Sequence, residues 1–512
     1  MNWIRSHSGL FLLVLSALVF IPFVGRRDIA TSHEARVVQV ARLMAESGPP
    51  WNAMPIDVPH VEIRHTSAGE RLEPAANGAA MRVNPWVVPI MNGQVRLQKP
   101  PLPYWCTAIL YRLFGYSETA SRIIPAIMGC LGVLLVRDLS LRLSNRMTAW
   151  LAAIIWISTL FVVDEYRKSM ADPYLAFFTL VASWAWLRRR LTVFYVAIAL
   201  GILSKGPLIF LFVVPFIAVH ALVRFRPSTD HKADVWDRVW MHIGGTLIVL
   251  LIVLPWPVAV LRSVPNAPEL WRYESIGAFA DKSEDMAPWW YYLPNLLLIT
   301  LPWTPAWLIG VWTGLKHRGR RILPIACTII VVFVFSLAHG KKNAYLLPLM
   351  PLMCLTTAQG LVILGRHPRL RPGRQAVVRL TGTALVFAII IQGFISGFEA
   401  WKDDNRSSRD AATFVSARLM ESPHRAVIFD YVPEDATPYL PLPVRDWHLA
   451  DEAYVILDDR KGEADKRAQE IAGTGGRILA CEPVQLPDSK IARWKVYRVT
   501  LSPIQRPLPG AG

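Results

Sequence analysis

Charge is what this chain is short of: Asp, Glu, Lys and Arg make up 18% of its 512 residues, where a soluble globular protein carries about a quarter. That deficit excludes an ordinary water-soluble enzyme and points to the lipid bilayer as solvent. Cysteine is sparse too, five in all. Cys106, Cys130, Cys327, Cys354 and Cys481 show neither paired nor metal-type spacing, which excludes a disulfide scaffold or a zinc module and leaves packed thiols. Histidines such as His7, His220, His242 and His317 are scattered rather than clustered. No internal repeat is present, as a transporter built from two related halves would show, and the carboxy-terminal part has no glycine-rich phosphate loop. Acidic residues are fewer than basic ones, 38 against 55, for a formal net charge of +17. That balance suits a nucleic-acid partner only if the cations gather in one patch, and they do not.

What is abundant is apolar surface, with 53% hydrophobic residues, 20 Trp and 39 Pro. A helix of about 20 residues crosses a hydrocarbon core of about 30 Å. Candidate runs centre on 9–25, 119–136, 148–163, 171–187, 191–204, 207–223, 241–261, 289–312, 322–338, 344–364 and 377–398. The expected fold class is therefore an α-helical polytopic membrane protein of about 11 to 13 transmembrane helices. The first run follows Arg5 as a signal peptide would, but it leads directly into Arg26, Arg27 and Asp28 with no small-residue cleavage site, so a retained helix is expected.

Numbering the loops alternately places Arg5, Arg137, Arg188, Arg226, Arg320 and Arg371, with many basic neighbours, on one side. By the positive-inside rule that side is cytoplasmic, which puts the amino terminus inside and the segment after Phe398 outside. The expected domains are a membrane module over 1–398, with a long first outer loop at 26–118, and a soluble α/β unit over 399–512. In the latter SRDAATFVSARLMES and GEADKRAQEIAG read as helices, and RAVIFDY, AYVILDD and WKVYRVTL as strands.

Within the first outer loop, Val37, Val40, Ala41, Met44 and Ala45 fall on one stripe of a short helix expected to lie along the membrane surface. Residues 48–86 form a Pro-, Gly- and Asn-rich insertion without clear periodicity, read as a mobile lid or a decorated loop. RLQKPPLPYW follows, its prolines holding Lys99 on a stiff loop beside the interfacial Tyr104 and Trp105.

The outer loops carry few charges, and these occur as mixed clusters at helix ends. Asp164, Glu165, Arg167, Lys168 and Asp172 crowd between two apolar runs; Asp172, just before Pro173, fits a helix N-cap. Lys205 in LSKGPL lies at a turn where charge close to hydrocarbon is costly, and so is a functional candidate by default. Lys341, Lys342 and Tyr345 have a similar address. Arg262, Arg272, Glu274 and Lys282 occupy the other long outer loop, where a single charge is more often solvated. His33, Glu34 and Arg36 open the amphipathic helix, where Glu also suits the dipole. Together these groups suit an anionic head group whose chain lies in the bilayer, with cations steadying a leaving phosphate and carboxylates orienting or deprotonating an acceptor.

HEARVVQVARLMAESG, WVVPIMNGQVRLQKPPLPYWCTAILYRLFG, SETASRIIPAIMG, EYRKSMADPYLAFF, LSKGP, PWWYYLPNLLL and KKNAYLLPLMPLM occur in an order that resembles the bacterial 4-amino-4-deoxyarabinose lipid A transferases and the related protein O-mannosyltransferases. These are membrane glycosyltransferases of the GT-C fold. The resemblance covers roughly the first 355 residues and is only architectural beyond them. It implies an inverting glycosyltransferase of the bacterial inner membrane that takes a polyprenyl-phosphate sugar and acts on the extracytoplasmic face. By that resemblance Lys99 and Tyr345 contact the donor phosphate with Lys205 nearby, and Arg36 and Asp172 lie near the reaction centre. Arg167, Lys342 and Arg272 join them as candidate substrate ligands.

One departure bears on catalysis. Where the family has Asp-Glu-Ala-Arg, this chain has His33-Glu34-Ala35-Arg36, so the base is His33, near its ordinary pKa of about 6.5, or Glu34, or Asp172. The acceptor is a lipid or other envelope molecule; transfer to Ser or Thr of a secreted protein, a transporter and a diverged non-catalytic homologue are the alternatives. No cofactor is implied, and 12 His with many carboxylates would permit a divalent metal without any spacing that compels one.

Overall fold

The computed structural model describes residues 8–29, 31–58, 61–66, 69–74, 81–91, 94–224, 233–272, 287–317, 319–338 and 340–365, with four strands and isolated positions farther on. The chain starts with α1 (Ser8–Phe20) and α2 (Ser32–Glu46). Six short strands follow: β1 (Ile56–Val58), β2 (Val61–Thr66), β3 (Gly69–Pro74), β4 (Met81–Val83), β5 (Ile90–Met91) and β6 (Gln94–Val95). Next come α3 (Leu102–Phe114), α4 (Glu118–Leu143), α5 (Arg146–Ser158), the six-residue α6 (Leu160–Glu165), α7 (Ala171–Leu187), α8 (Leu191–Lys205) and α9 (Ile209–Arg224). The helical part closes with α10 (Ala233–Val253), α11 (Pro255–Ser263), α12 (Tyr292–Ile299), α13 (Thr304–His317), α14 (Ile322–Leu337) and α15 (Met350–Leu364). Strands β7 (Ala426–Val427), β8 (Glu452–Asp458), β9 (Arg477–Pro483) and β10 (Trp494–Thr500) complete it.

Two compact units divide these elements. The first comprises 1–24, 97–103 and 122–395. Its core is one apolar cluster running from Leu12 and Phe20 through Trp156, Tyr166 and Leu180 to Met353 and Leu361. Four helical stretches, Glu118–Leu143, Leu191–Val223, Trp240–Ser263 and Asn343–Leu364, are long and apolar enough to cross a membrane. The pair α12 and α13 makes a fifth if counted as one broken span, and Gly9–Phe20, Arg146–Ser158 and Ile322–Leu337 are shorter apolar helices. Outward-facing Leu250, Leu251, Phe333 and Leu337 are exposed, as lipid-facing side chains must be. This is a helical multi-pass membrane protein. Close packing uses small residues: a Cβ on Gly310 would lie 2.1 Å from the Thr356 carbonyl and one on Gly360 2.0 Å from that of Ala306, so the backbones of α13 and α15 touch as small residues allow in membranes.

Two expected spans prove to be broken. The run 289–312 splits into α12 and α13, bent by 116°, because Pro302 cannot continue a helix. Thr300 and Thr304 hydroxyls donate to the carbonyls of Leu296 and Leu297, replacing the lost backbone bonds as a low-dielectric interior demands. The run 148–163 breaks at Thr159, whose hydroxyl donates to the Ile155 carbonyl at 2.6 Å while Ser158 donates to Ile154 at 2.7 Å. The expected span at 377–398 lies outside the described residues.

The second unit comprises 25–96, 104–121 and 396–512. Thr31 caps α2, accepting from the Glu34 N–H at 3.3 Å. The stripe expected to face lipid instead packs on protein: Val37, Val38, Val40, Ala41 and Met44 are buried with Trp86, Tyr104, Ala108, Tyr111 and Ala120. The insertion 48–86, read from sequence as a loop, contains paired strands, β1 antiparallel to β4 and β2 to β3; three-residue β1 and β4 are too short to show alternation, and six-residue β2 and β3 are too polar to stand out as strands. Farther on, the sheet order is β7-β8-β10-β9, with β7 parallel to β8 and the other pairs antiparallel. The expected strands RAVIFDY, AYVILDD and WKVYRVTL contribute to it, and RILACEP is a fourth that the pattern did not reveal. Of the two expected helices only isolated helical positions, Ser416, Asp465, Lys466, Ala468 and Gln469, are described.

Candidate active site

The break after α5 builds the site in the first unit. Thr159 is extended, α6 restarts for six residues, and the chain then bends through 167–170 before α7 begins. The N-cap of α7 is Met170, with no side-chain cap bond; Asp172, expected there, lies two residues further on, within the first turn. Its carboxylate remains favoured by the helix dipole and is left to seek a partner elsewhere. That partner is Lys205, the last residue of α8, where Gly206 at φ 71° lets the chain leave the helix. A left-handed φ of this kind suits glycine.

Lys205 Nζ lies 2.5 Å from Asp172 Oδ1, with the two side chains only 7% and 8% exposed. The same ammonium stands 4.3 Å from the centroid of the Tyr345 ring, within cation–π range. Tyr345 sits in a 3-10 turn over Asn343–Leu349, its ring against Phe335 at 5.6 Å. Asn343 donates to Asn295 Oδ1 at 2.9 Å, and the Tyr292 hydroxyl donates to the Lys342 carbonyl at 3.4 Å. Three sequence candidates, Asp172, Lys205 and Tyr345, thus meet at one point, although far apart in sequence.

A second charged group lies on the same connection. Lys168 Nζ bridges Asp164 Oδ2 at 2.5 Å and Glu165 Oε1 at 2.6 Å. Burial pushes Glu165 up to about 7, with Asp164 and Asp172 adding to the rise and Lys168 opposing it; Lys168 itself is raised by the two carboxylates that surround it. Arg167 donates to the Pro22 carbonyl at 2.8 Å, so part of its guanidinium ties the chain after α1. Lys341 donates to the carbonyls of Ala287 and Ala338, capping α14. Lys99 and Lys342 are half-buried in this unit and Arg272 is exposed. In the second unit Glu34 is fully enclosed, and His33 and Arg36 are half-buried. Among the described residues no group of three or more His, Cys, Asp or Glu side chains is placed to hold a metal ion. Sequence reasoning named the 164–172 cluster but not its division into two pairs, and it gave no role to Asn295, which steadies the 343–349 turn.

Two family models each match part of this chain. The model of the dolichyl-phosphate-mannose-protein mannosyltransferase family matches residues 98–258, and that of the Alg9-like mannosyltransferase family matches 286–403. The crystal structure of ArnT from Cupriavidus metallidurans bound to undecaprenyl phosphate aligns at a TM-score of 0.69 and 15% identity, over 96% of this chain and 97% of that one. The chain therefore shares the fold of that protein. Among relatives by sequence, the undecaprenyl phosphate-alpha-4-amino-4-deoxy-L-arabinose arabinosyl transferase of Erwinia tasmaniensis is 28% identical over 332 residues, 60% of this chain and 57% of that protein. The transferase 1 of that name from Pseudomonas fluorescens is 32% identical over 292 residues, 53% and 51% of the two chains. The chain spans little more than half the length of these relatives.

Proposed function

We propose that this chain is an inverting glycosyltransferase which moves a sugar from a polyprenyl-phosphate donor to a lipid or other envelope acceptor. It acts at the extracytoplasmic face of the bacterial inner membrane, with the amino terminus cytoplasmic and the carboxy-terminal α/β segment outside. The observation that carries this reading is the enclosed Asp172–Lys205 pair with Tyr345 against the lysine. Two opposite charges removed from water cost more than they return unless geometry or function repays them, and this pair stands at two helix ends rather than mid-helix. The relatives' names support undecaprenyl phosphate as carrier and 4-amino-4-deoxy-L-arabinose as sugar.

In the reaction an acceptor oxygen bonds to the anomeric carbon from the side opposite the phosphate. The bond from that carbon to the phosphate oxygen breaks, and its electron pair leaves on the phosphate. An arriving phosphate competes with Asp172 for the Lys205 ammonium; Lys205 then steadies the departing charge, and the released Asp172 carboxylate takes the acceptor proton. Lys99 and Lys342 add positive potential in the same unit. Arg36, with His33 or Glu34 as the alternative base, enters through the family resemblance. Arg167 is better assigned to holding the main chain than to the phosphate.

The test is release of free polyprenyl phosphate from a panel of radiolabelled polyprenyl-phosphate sugars by the full chain in lipid nanodiscs, with envelope lipids as acceptors. Release that needs both an acceptor and Lys205 supports the reading; no release with any donor, from folded protein, defeats it. The match over 98–258 to a protein mannosyltransferase family favours a second reading, transfer to Ser or Thr of a secreted protein, which acceptor peptides in the same assay distinguish.

A further inference from the structure

Glu165, the last residue of α6, has a side chain only 7% exposed. One carboxylate oxygen meets Lys168 at 2.6 Å; the other is enclosed and has no hydrogen-bond partner. Lys168 does not depend on Glu165, because Asp164 Oδ2 lies 2.5 Å from the same ammonium and its side chain is 36% exposed. Asp164 is thus solvated and paired, whereas Glu165 is dry and half-satisfied. An ionised oxygen without a donor in a dry interior is costly, and a proton on Glu165 removes most of that cost.

The charged neighbours act both ways: Lys168 on its own segment opposes a proton on Glu165, while Asp164 and Asp172 of α7 raise its proton affinity, and Arg167 of the same segment is tied to the Pro22 carbonyl. The elements packed on α6 are α5, α12 and the 343–349 turn. Their titratable side chains are Arg146 at the far end of α5, Tyr292 and Tyr345, with Lys342 preceding the turn; none is acidic. With Arg167 included, the ionised set Asp164, Glu165, Asp172, Arg167, Lys168 and Lys205 is neutral, so it is the enclosed, half-satisfied oxygen of Glu165 rather than a charge excess that favours the proton. A phosphate seated on Lys205 would bring further negative charge, and like charges favour protonation.

We propose that Glu165 is a positioning residue that keeps a proton when the phosphate of a polyprenyl donor occupies Lys205, so that donor affinity is linked to proton uptake. The proposal rests on the phosphate-site reading above. Because burial holds the free carboxyl up to about 7 and bound phosphate raises it further, the protonated form binds more tightly. Affinity is therefore at its plateau below pH 7 and falls as pH rises past it, by at most about tenfold per pH unit for one proton.

Binding of undecaprenyl phosphate to the full chain in nanodiscs, measured at pH 6.5, 7.5 and 8.5, tests it. Wild type should weaken stepwise across the series. Glu165→Gln, permanently neutral, should hold its affinity, and the ionisation of the lipid phosphate, near pH 6, is common to both. Asp164→Asn, which removes a charge that raises Glu165 and leaves Lys168 with Glu165 as its remaining carboxylate of the two, should move the fall in affinity to lower pH. A flat wild-type profile, or the same slope in Glu165→Gln, overturns the proposal. If Glu165→Gln does not fold, proton uptake per lipid bound, read by wild-type calorimetry at pH 7.5 in two buffers of different ionisation enthalpy, decides instead, and zero uptake overturns it. Lys205→Met separates the two readings: affinity unchanged in that variant removes the phosphate site and this proposal with it. Binding lost in Lys205→Met, with the slope intact in Glu165→Gln, removes only the proton linkage.

Discussion

Neutralising Asp172 and Lys205 singly and together separates a structural ion pair from a catalytic one. Both side chains are less than a tenth exposed and their charged atoms are 2.5 Å apart, so removing one partner leaves a buried charge uncompensated, a loss of about 3–5 kcal/mol. Asp172→Asn and Lys205→Met should therefore each lower the apparent melting temperature of the protein in nanodiscs. The double variant, with two neutral side chains of similar volume, should recover most of that loss, since exchanging a whole buried pair for neutral groups is often close to neutral. Turnover should behave differently. Each single variant, and the double, should release polyprenyl phosphate about 10²–10⁴-fold more slowly, the usual range for a lost general base or charge stabiliser. A double variant whose turnover returned to within about tenfold of wild type, well short of the loss expected for a general base, would refute the catalytic role of the pair. Single variants that melt like wild type would refute the burial argument itself.

Two further outcomes follow from the geometry. Tyr345→Phe keeps the ring 4.3 Å from Lys205 and should preserve donor KM, whereas Tyr345→Ala loses a cation–π contact of about 0.5–2 kcal/mol and should raise it, by steady-state kinetics on the labelled donor. In the second unit the Tyr439 hydroxyl accepts from the Ile29 N–H at 3.0 Å and donates to Glu118 Oε1 at 3.3 Å. Tyr439→Phe should destabilise that unit by about 1–3 kcal/mol, seen as faster hydrogen exchange over 29–46, and an unchanged exchange pattern would count against it.

Membrane class and helix positions were legible because length and hydropathy decide them: α7 begins and ends at the bounds of the expected run 171–187. The breaks at Thr159 and Pro302 were less legible, since apolar character continues across them and only side-chain hydroxyls bonding to the freed carbonyls make them tolerable. The insertion 48–86 concealed its strands because three-residue β1 and β4 are too short to show alternation and six-residue β2 and β3 carry few apolar residues among their charges. At the site, sequence singled out Asp172, Lys205 and Tyr345 one by one by their cost near hydrocarbon. Their meeting depends on tertiary packing of α7, α8 and the 343–349 turn, which no local pattern encodes. The N-cap expectation for Asp172 was off by two residues because Met170 takes the extended conformation, and that shift leaves the carboxylate available to Lys205.

The choice of lysine at 205 can itself be tested, because a structural pair and a shuttling cation make opposite demands on it. A pair that only holds α7 to α8 would be served at least as well by arginine, whose planar fork binds a carboxylate through two parallel bonds. A cation that must leave Asp172 for an arriving phosphate needs the reverse: a compact charge with rotatable donors, held loosely enough to exchange partners. Tyr345 fits that need, since its ring steadies the ammonium without accepting a directed bond. Lys205→Arg is therefore expected to melt within about 1 kcal/mol of wild type, as a retained ion pair would, while turnover falls at least tenfold, about 1.4 kcal/mol in the barrier, because the carboxylate stays clamped and cannot take the acceptor proton. Full turnover in Lys205→Arg, measured by donor consumption at saturating acceptor, would show that the ammonium never changes partner and that Asp172 acts, if at all, while still paired.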